Sequence, residues 1–82
     1  MKYCVELKEC ALRDSKNLSK KDARRILEKI ETLKDGLRGD VKRLTNFTPE
    51  YRLRVGNFRV LFEIEKGTII IYGIKHRKES YR

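Results

Sequence analysis

The sequence is poor in the residues that staple, span or loosen a chain. It has two cysteines, one proline, no tryptophan and five glycines among 82 residues. Cys4 and Cys10 show no CxxC spacing, and His76 is the sole imidazole, so neither a zinc ligand set nor a disulfide framework is indicated. Reduced thiols in buried structural positions are expected. A lone Pro49 and scattered glycines exclude a long flexible linker or low-complexity tail. No apolar run approaches the roughly 18 to 20 residues that cross a bilayer. Met1-Lys2-Tyr3 opens directly into alternating sequence without a signal-type apolar stretch. A cytoplasmic protein without a membrane partner is the expectation.

Acidic side chains are also scarce, 12 against 21 basic ones, for a net charge of +9. The excess is uneven. Residues 1–41 hold 11 basic and 8 acidic side chains, whereas residues 42–82 hold 10 and 4. Such a surplus fits a polyanion-binding surface, which composition alone leaves as nucleic acid, acidic protein or anionic membrane. A chain of this length has room for one domain, 1–82, with one core. It would bury only about 60% of the surface it exposes when unfolded, so its stability is marginal and a standing partner is plausible.

Tyr3, Val5 and Leu7 alternate with polar neighbours, the period of a half-buried strand. Ala11, Ser15 and Leu18 then fall at helical spacing, predicting a short helix from Glu9 to Leu18. Ser19 followed by Asp22 is a helix start signal, with Ala23, Ile26, Leu27, Ile30 and Leu33 along one face and Gly36 placed to end the helix, which spans about 19–35. Val41 to Leu44 forms a candidate short strand. Tyr51, Leu53 and Val55 alternate with Arg52 and Arg54, and the turn pair Gly56-Asn57 leads into Phe58, Val60, Phe62 and Ile64, a hairpin pattern. Lys66-Gly67 turns again into Thr68 to Tyr72, whose near-continuous apolar character suits an internal strand. The expected order is β-α-α-β-β-β-β. The fold class is α+β: an N-terminal strand and a helical hairpin packed on a mainly antiparallel sheet of four to five strands.

Period-2 geometry puts Arg52 and Arg54 on one polar face, about 7 Å apart along the strand. If Gly56-Asn57 is a two-residue turn, Arg54 opposes Arg59. Like charges directly opposite weaken a hairpin. An anion between the guanidinium groups explains such a pairing, because arginine presents a planar donor fork that engages phosphate through two bonds. The competing reading is a solvated basic face, or arginines meeting Glu63 and Glu65. In the stretch from Lys75 to Arg82, His76 exchanges a proton near neutral pH or sits at a strand end. Tyr81 either titrates, if cations lower its pKa from about 10, or packs over the sheet edge.

The helical hairpin, the run Tyr51-Arg52-Leu53-Arg54-Val55-Gly56-Asn57-Phe58-Arg59-Val60-Leu61-Phe62 and the ending Ile74-Lys75-His76-Arg77-Lys78-Glu79-Ser80-Tyr81 together resemble the RelE/ParE superfamily of bacterial and archaeal toxins. The resemblance covers essentially the whole chain. It implies the toxin of a type II toxin-antitoxin pair. On the RelE-like branch it implies a ribosome-dependent endoribonuclease, an mRNA interferase that cleaves message in the A site without a metal or cofactor and so inhibits translation. On the ParE-like branch it implies inhibition of DNA gyrase with no nuclease activity. A third reading is a toxin-like RNA-binding or inactive relative.

On the RelE-like branch, Arg52, Arg54, Arg59, Arg77 and Tyr81 match the positions of the active surface. The resemblance assigns Arg52, Arg59 and Arg77 to the phosphate and Arg54 to phosphate or substrate orientation. Arginine stays protonated and cannot act as an ordinary general base, so Tyr81 is the first candidate, with His76 the alternative as base or as acid for the leaving oxygen. Tyr81 could instead stack on a base. The implied partners are the ribosome with its mRNA and a cognate RelB-like antitoxin, acidic and partly disordered, that folds over the basic face.

Overall fold

In a computed structural model of the chain, residues 2–37, 39–44 and 49–76 are described. Seven elements follow the expected order: β1 (Cys4–Leu7), α1 (Glu9–Lys16), α2 (Lys20–Leu33), β2 (Asp40–Arg43), β3 (Tyr51–Val55), β4 (Phe58–Glu65) and β5 (Thr68–His76). The strands form one five-stranded sheet in the order β1-β5-β4-β3-β2, antiparallel except for the parallel pair β1 and β5. Internal β5 thus occupies the position its apolar run anticipates. No helix among the described residues is long and apolar enough to cross a membrane.

Both helices lie on one face of the sheet. The core between them contains Ala11 of α1, Ile26, Ile30 and Leu33 of α2, and Leu53, Val55, Val60, Phe62, Ile69, Ile71 and Ile74 of the strands. Ser19 caps α2 as its spacing predicts: its side chain accepts a hydrogen bond from the Asp22 amide at 3.1 Å, satisfying one of the orphan donors of the first turn. The chain reverses just past α2 at Gly36, where φ is +108°. Tyr51 and Phe62, direct cross-strand partners, stack with ring centroids 5.4 Å apart.

Several expectations are corrected. The first helix ends at Lys16, and Leu18 packs against the core from the connecting loop rather than from the helix. Leu27 is 52% exposed, because α2 turns only the Ile26, Ile30 and Leu33 stripe fully inward. Cys4 and Cys10 are free and exposed, not buried: Cys4 alternates away from the core on edge strand β1, and Cys10 is on the outer side of α1.

The last strand runs to His76, four residues beyond the end of its apolar run, and a bulge lies within it. Phe62 pairs with Ile71 but its neighbour Leu61 pairs with Gly73, so Tyr72 is an extra residue in β5. The insertion inverts the alternation. Ile69 and Ile71 point to the helices before it, Ile74 after it.

Candidate active site and nucleic-acid interface

The face of the sheet opposite the helices carries the basic constellation, and the turn of the β3-β4 hairpin sets its register. Gly56 has φ +59°, the glycine-first arrangement of a two-residue II′ turn, and it makes Val55 face Phe58. Arg54 therefore stands directly opposite Arg59, as the turn pair predicts. Arg52 is two residues back on the same face, between Lys42 of β2 and Leu61 of β4. On the far side of Arg59 its partner in β5 is Lys75. Five cations from four adjacent strands thus share one face.

These cations differ in their surroundings. Arg54 is exposed and Arg59 only 8% exposed, the one buried charged residue in the described fold. Arg52 is intermediate, and its Nε is buried without a hydrogen-bond partner among the described residues. Among the described residues Arg52 and Arg54 form no ion pair, so Glu63 and Glu65 do not neutralise them. Leaving a buried donor unsatisfied costs about 1–3 kcal/mol. A facing pair of guanidinium groups weakens its own hairpin. An anion with oxygens to accept from the donor forks of Arg52 and Arg54 offsets such costs.

His76 is not brought to this face. It pairs with Phe58, whose partner Val55 points into the core, and its ring meets the Phe58 ring edge-on at 5.3 Å. There it lines a pocket beside Asn17, Leu18 and Asp22 on the helix side of the sheet. The Tyr72 bulge is the cause: without the extra residue, position 76 would alternate onto the arginine face and position 75 away from it. Arg77 and Tyr81 lie outside the described residues. Lys42 and Lys75 join the face without having been singled out from sequence. Alternation of Val41 and Lys42 signals the first; nothing in the sequence around Tyr72 signals the bulge that delivers the second.

Comparison with known proteins places this arrangement. Residues 5–81 match the ParE toxin family of type II toxin-antitoxin systems. The chain belongs to this family, within the RelE/ParE superfamily. It is 35% identical to RelE1 of Methanocaldococcus jannaschii over an alignment covering all of this chain and 98% of that one. Its fold resembles a chain of a RelB-RelE antitoxin-toxin complex from Methanococcus jannaschii, with 29% identity, TM-score 0.77 and coverage of 92% and 93% of the two chains. A RelE-RelB complex from Pyrococcus horikoshii OT3 gives 27% identity, TM-score 0.77 and coverage of 94% and 97%. The ParE-family chain is a toxin of a type II toxin-antitoxin system with the RelE-like α+β fold.

Proposed function

We propose that this toxin is a ribosome-dependent endoribonuclease that cuts mRNA in the A site. The observation that carries the reading is the facing pair Arg54 and Arg59, with Arg52 beside it and its Nε lacking an acceptor. In the reaction the ribose 2′-oxygen attacks the adjacent phosphorus and the bond to the 5′-oxygen breaks, leaving a 2′,3′-cyclic phosphate and a 5′-hydroxyl. Negative charge grows on the non-bridging oxygens. Guanidinium groups already fixed on a sheet stabilise it without reorganising, an effect worth about 10²- to 10³-fold per donor. Arg52, Arg54 and Arg59 hold the phosphate, and Arg77 joins them by its match to the family ending. Tyr81, by the same match, takes the 2′-hydroxyl proton as a phenolate, and the departing 5′-oxygen takes a proton from water. His76, across the sheet, is left out of the set. The step draws on no metal or cofactor.

The partner in this reading is a RelB-like antitoxin, acidic and partly disordered, that folds over the cationic face and neutralises part of the +9 charge. The relatives of similar fold from Methanococcus jannaschii and Pyrococcus horikoshii are seen in complexes with RelB. Toxin, ribosome and message meet in the cytoplasm.

A second reading, inhibition of DNA gyrase, is favoured by one observation: the matching family carries the ParE name. Induction in a translating extract, with RNA 5′ ends mapped and gyrase supercoiling assayed in parallel, separates the two. Codon-phased cuts with normal supercoiling are expected. Intact message with blocked supercoiling would replace the first reading by the second.

A further inference from the structure

We infer that Asp14 of α1 is a positioning residue that holds Lys75 at the edge of the cationic face, where Lys75 binds an RNA phosphate next to the one gripped by Arg54 and Arg59. The inference rests on the proposed RNA-binding role of that face and adds two residues to it.

Three observations meet at this point. First, β1 pairs with β5 only over Thr68 to Ile71, so the following residues have no strand on that side. The Ile74 amide would be an orphan donor there, and the Asp14 carboxylate accepts from it at 3.0 Å. Second, the same oxygen, Asp14 Oδ2, lies 3.2 Å from the Lys75 ammonium, in an ion pair whose carboxylate side chain is only 20% exposed. Third, Gly73 leaves the room this pairing needs. A Cβ at position 73 would stand 3.3 Å from both Asp14 Oδ2 and Lys75 Cε. The aliphatic stem of Lys75 thus folds back over Gly73, along the row that holds Leu61 and Arg52.

The physical consequence concerns order. A lysine on an open sheet face samples many rotamers and loses that freedom on gripping a ligand. Asp14 restricts the side chain in advance. An ammonium has three donors, and one contact to Asp14 leaves two for phosphate oxygens. The Tyr72 bulge puts Lys75 on this face, and Arg59 is its cross-strand partner. The ammonium itself is drawn back over Gly73 toward Asp14, so it lies beyond the strand of Arg59 and a step along it, beside the Arg54-Arg59 pair rather than on it. It suits the neighbouring linkage of a single strand.

The test is an NMR titration of the full chain with a trinucleotide carrying 2′-O-methyl groups, which cannot be cleaved, so the result does not depend on whether the toxin cuts RNA. Wild type, Lys75→Gln, Asp14→Asn and the double variant are compared at several salt concentrations, each with its melting temperature. Asparagine still accepts from the Ile74 amide, so Asp14→Asn loosens Lys75 without orphaning the backbone. Lys75→Gln is expected to weaken binding about tenfold and to lower the slope of log affinity against log salt by about 0.7, one phosphate contact on a single strand. Asp14→Asn is expected to weaken binding about threefold when Lys75 is present and not at all in the Lys75→Gln background. Wild-type affinity and slope in Lys75→Gln would overturn the inference, as would a wild type with no measurable affinity. An Asp14→Asn effect of equal size in both backgrounds would overturn the positioning role. A fall in melting temperature without that background dependence would assign Asp14 to the fold alone.

Discussion

The two faces of the sheet obey opposite rules. On the helix side, Leu53, Val60, Phe62, Ile69 and Ile71 are at most 1% exposed and join one apolar cluster with residues of both helices. On the other side, Arg52, Arg54, Arg59, Lys42 and Lys75 gather like charges that the strand register forces together. The first face accounts for folding. The second is arranged at the expense of folding, since like-charged residues at directly opposed positions, and an Arg52 Nε without an acceptor among the described residues, work against the isolated fold. A surface that costs stability is poised for a ligand that removes the cost.

Substitutions on each face should therefore separate stability from activity. The largest effect is expected on the helix side. Phe62→Ala removes a side chain with no exposure, and it should cost about 3–5 kcal/mol, enough to unfold much of a protein this small; a denaturant titration reads it. A loss under about 1 kcal/mol would show that this face is not the core.

Next comes Arg54→Ala. Cleavage of ribosome-bound message should fall about 100-fold, while stability stays within about 0.5 kcal/mol, because the side chain is exposed and its removal relieves repulsion from Arg59. Single-turnover rates and thermal melts on the same preparation check both halves. Equal losses in the two would erase the contrast between the faces.

Gly56→Ala sharpens the comparison, because the turn sets the register of the opposed arginines. An alanine at φ +59° is strained, and its Cβ would meet the Arg25 guanidinium at 3.0 Å, so a loss of about 1 kcal/mol is expected in urea unfolding. Smallest of all is Leu27→Gln on the solvent side of α2, expected within about 0.5 kcal/mol and without effect on cleavage.

Much of this molecule is written locally. The Ser19-Asp22 start, the Ile26, Ile30 and Leu33 stripe and the Gly56-Asn57 turn act over a few residues, and each is legible before any tertiary contact is known. The Arg54-Arg59 pairing follows from the turn alone. What escaped the sequence depends on distant partners. Tyr72 is an extra residue only because β4 has none to match it, and that one insertion exchanges the faces of Lys75 and His76. Asp14 is an ordinary helix carboxylate until β5 extends past β1 and exposes the Ile74 amide to it. Cys4 and Cys10 looked like core residues by type, yet an edge strand and a helix exterior left both in solvent.

The most direct test of the central claim is a structure of the toxin on a ribosome whose A-site codon carries 2′-O-methyl groups. The scissile phosphate is expected within hydrogen-bond distance of the guanidinium groups of both Arg54 and Arg59, on the sheet face away from α1 and α2. A complex in which the message contacts the helices instead, with Arg54 and Arg59 touching no phosphate, would contradict it.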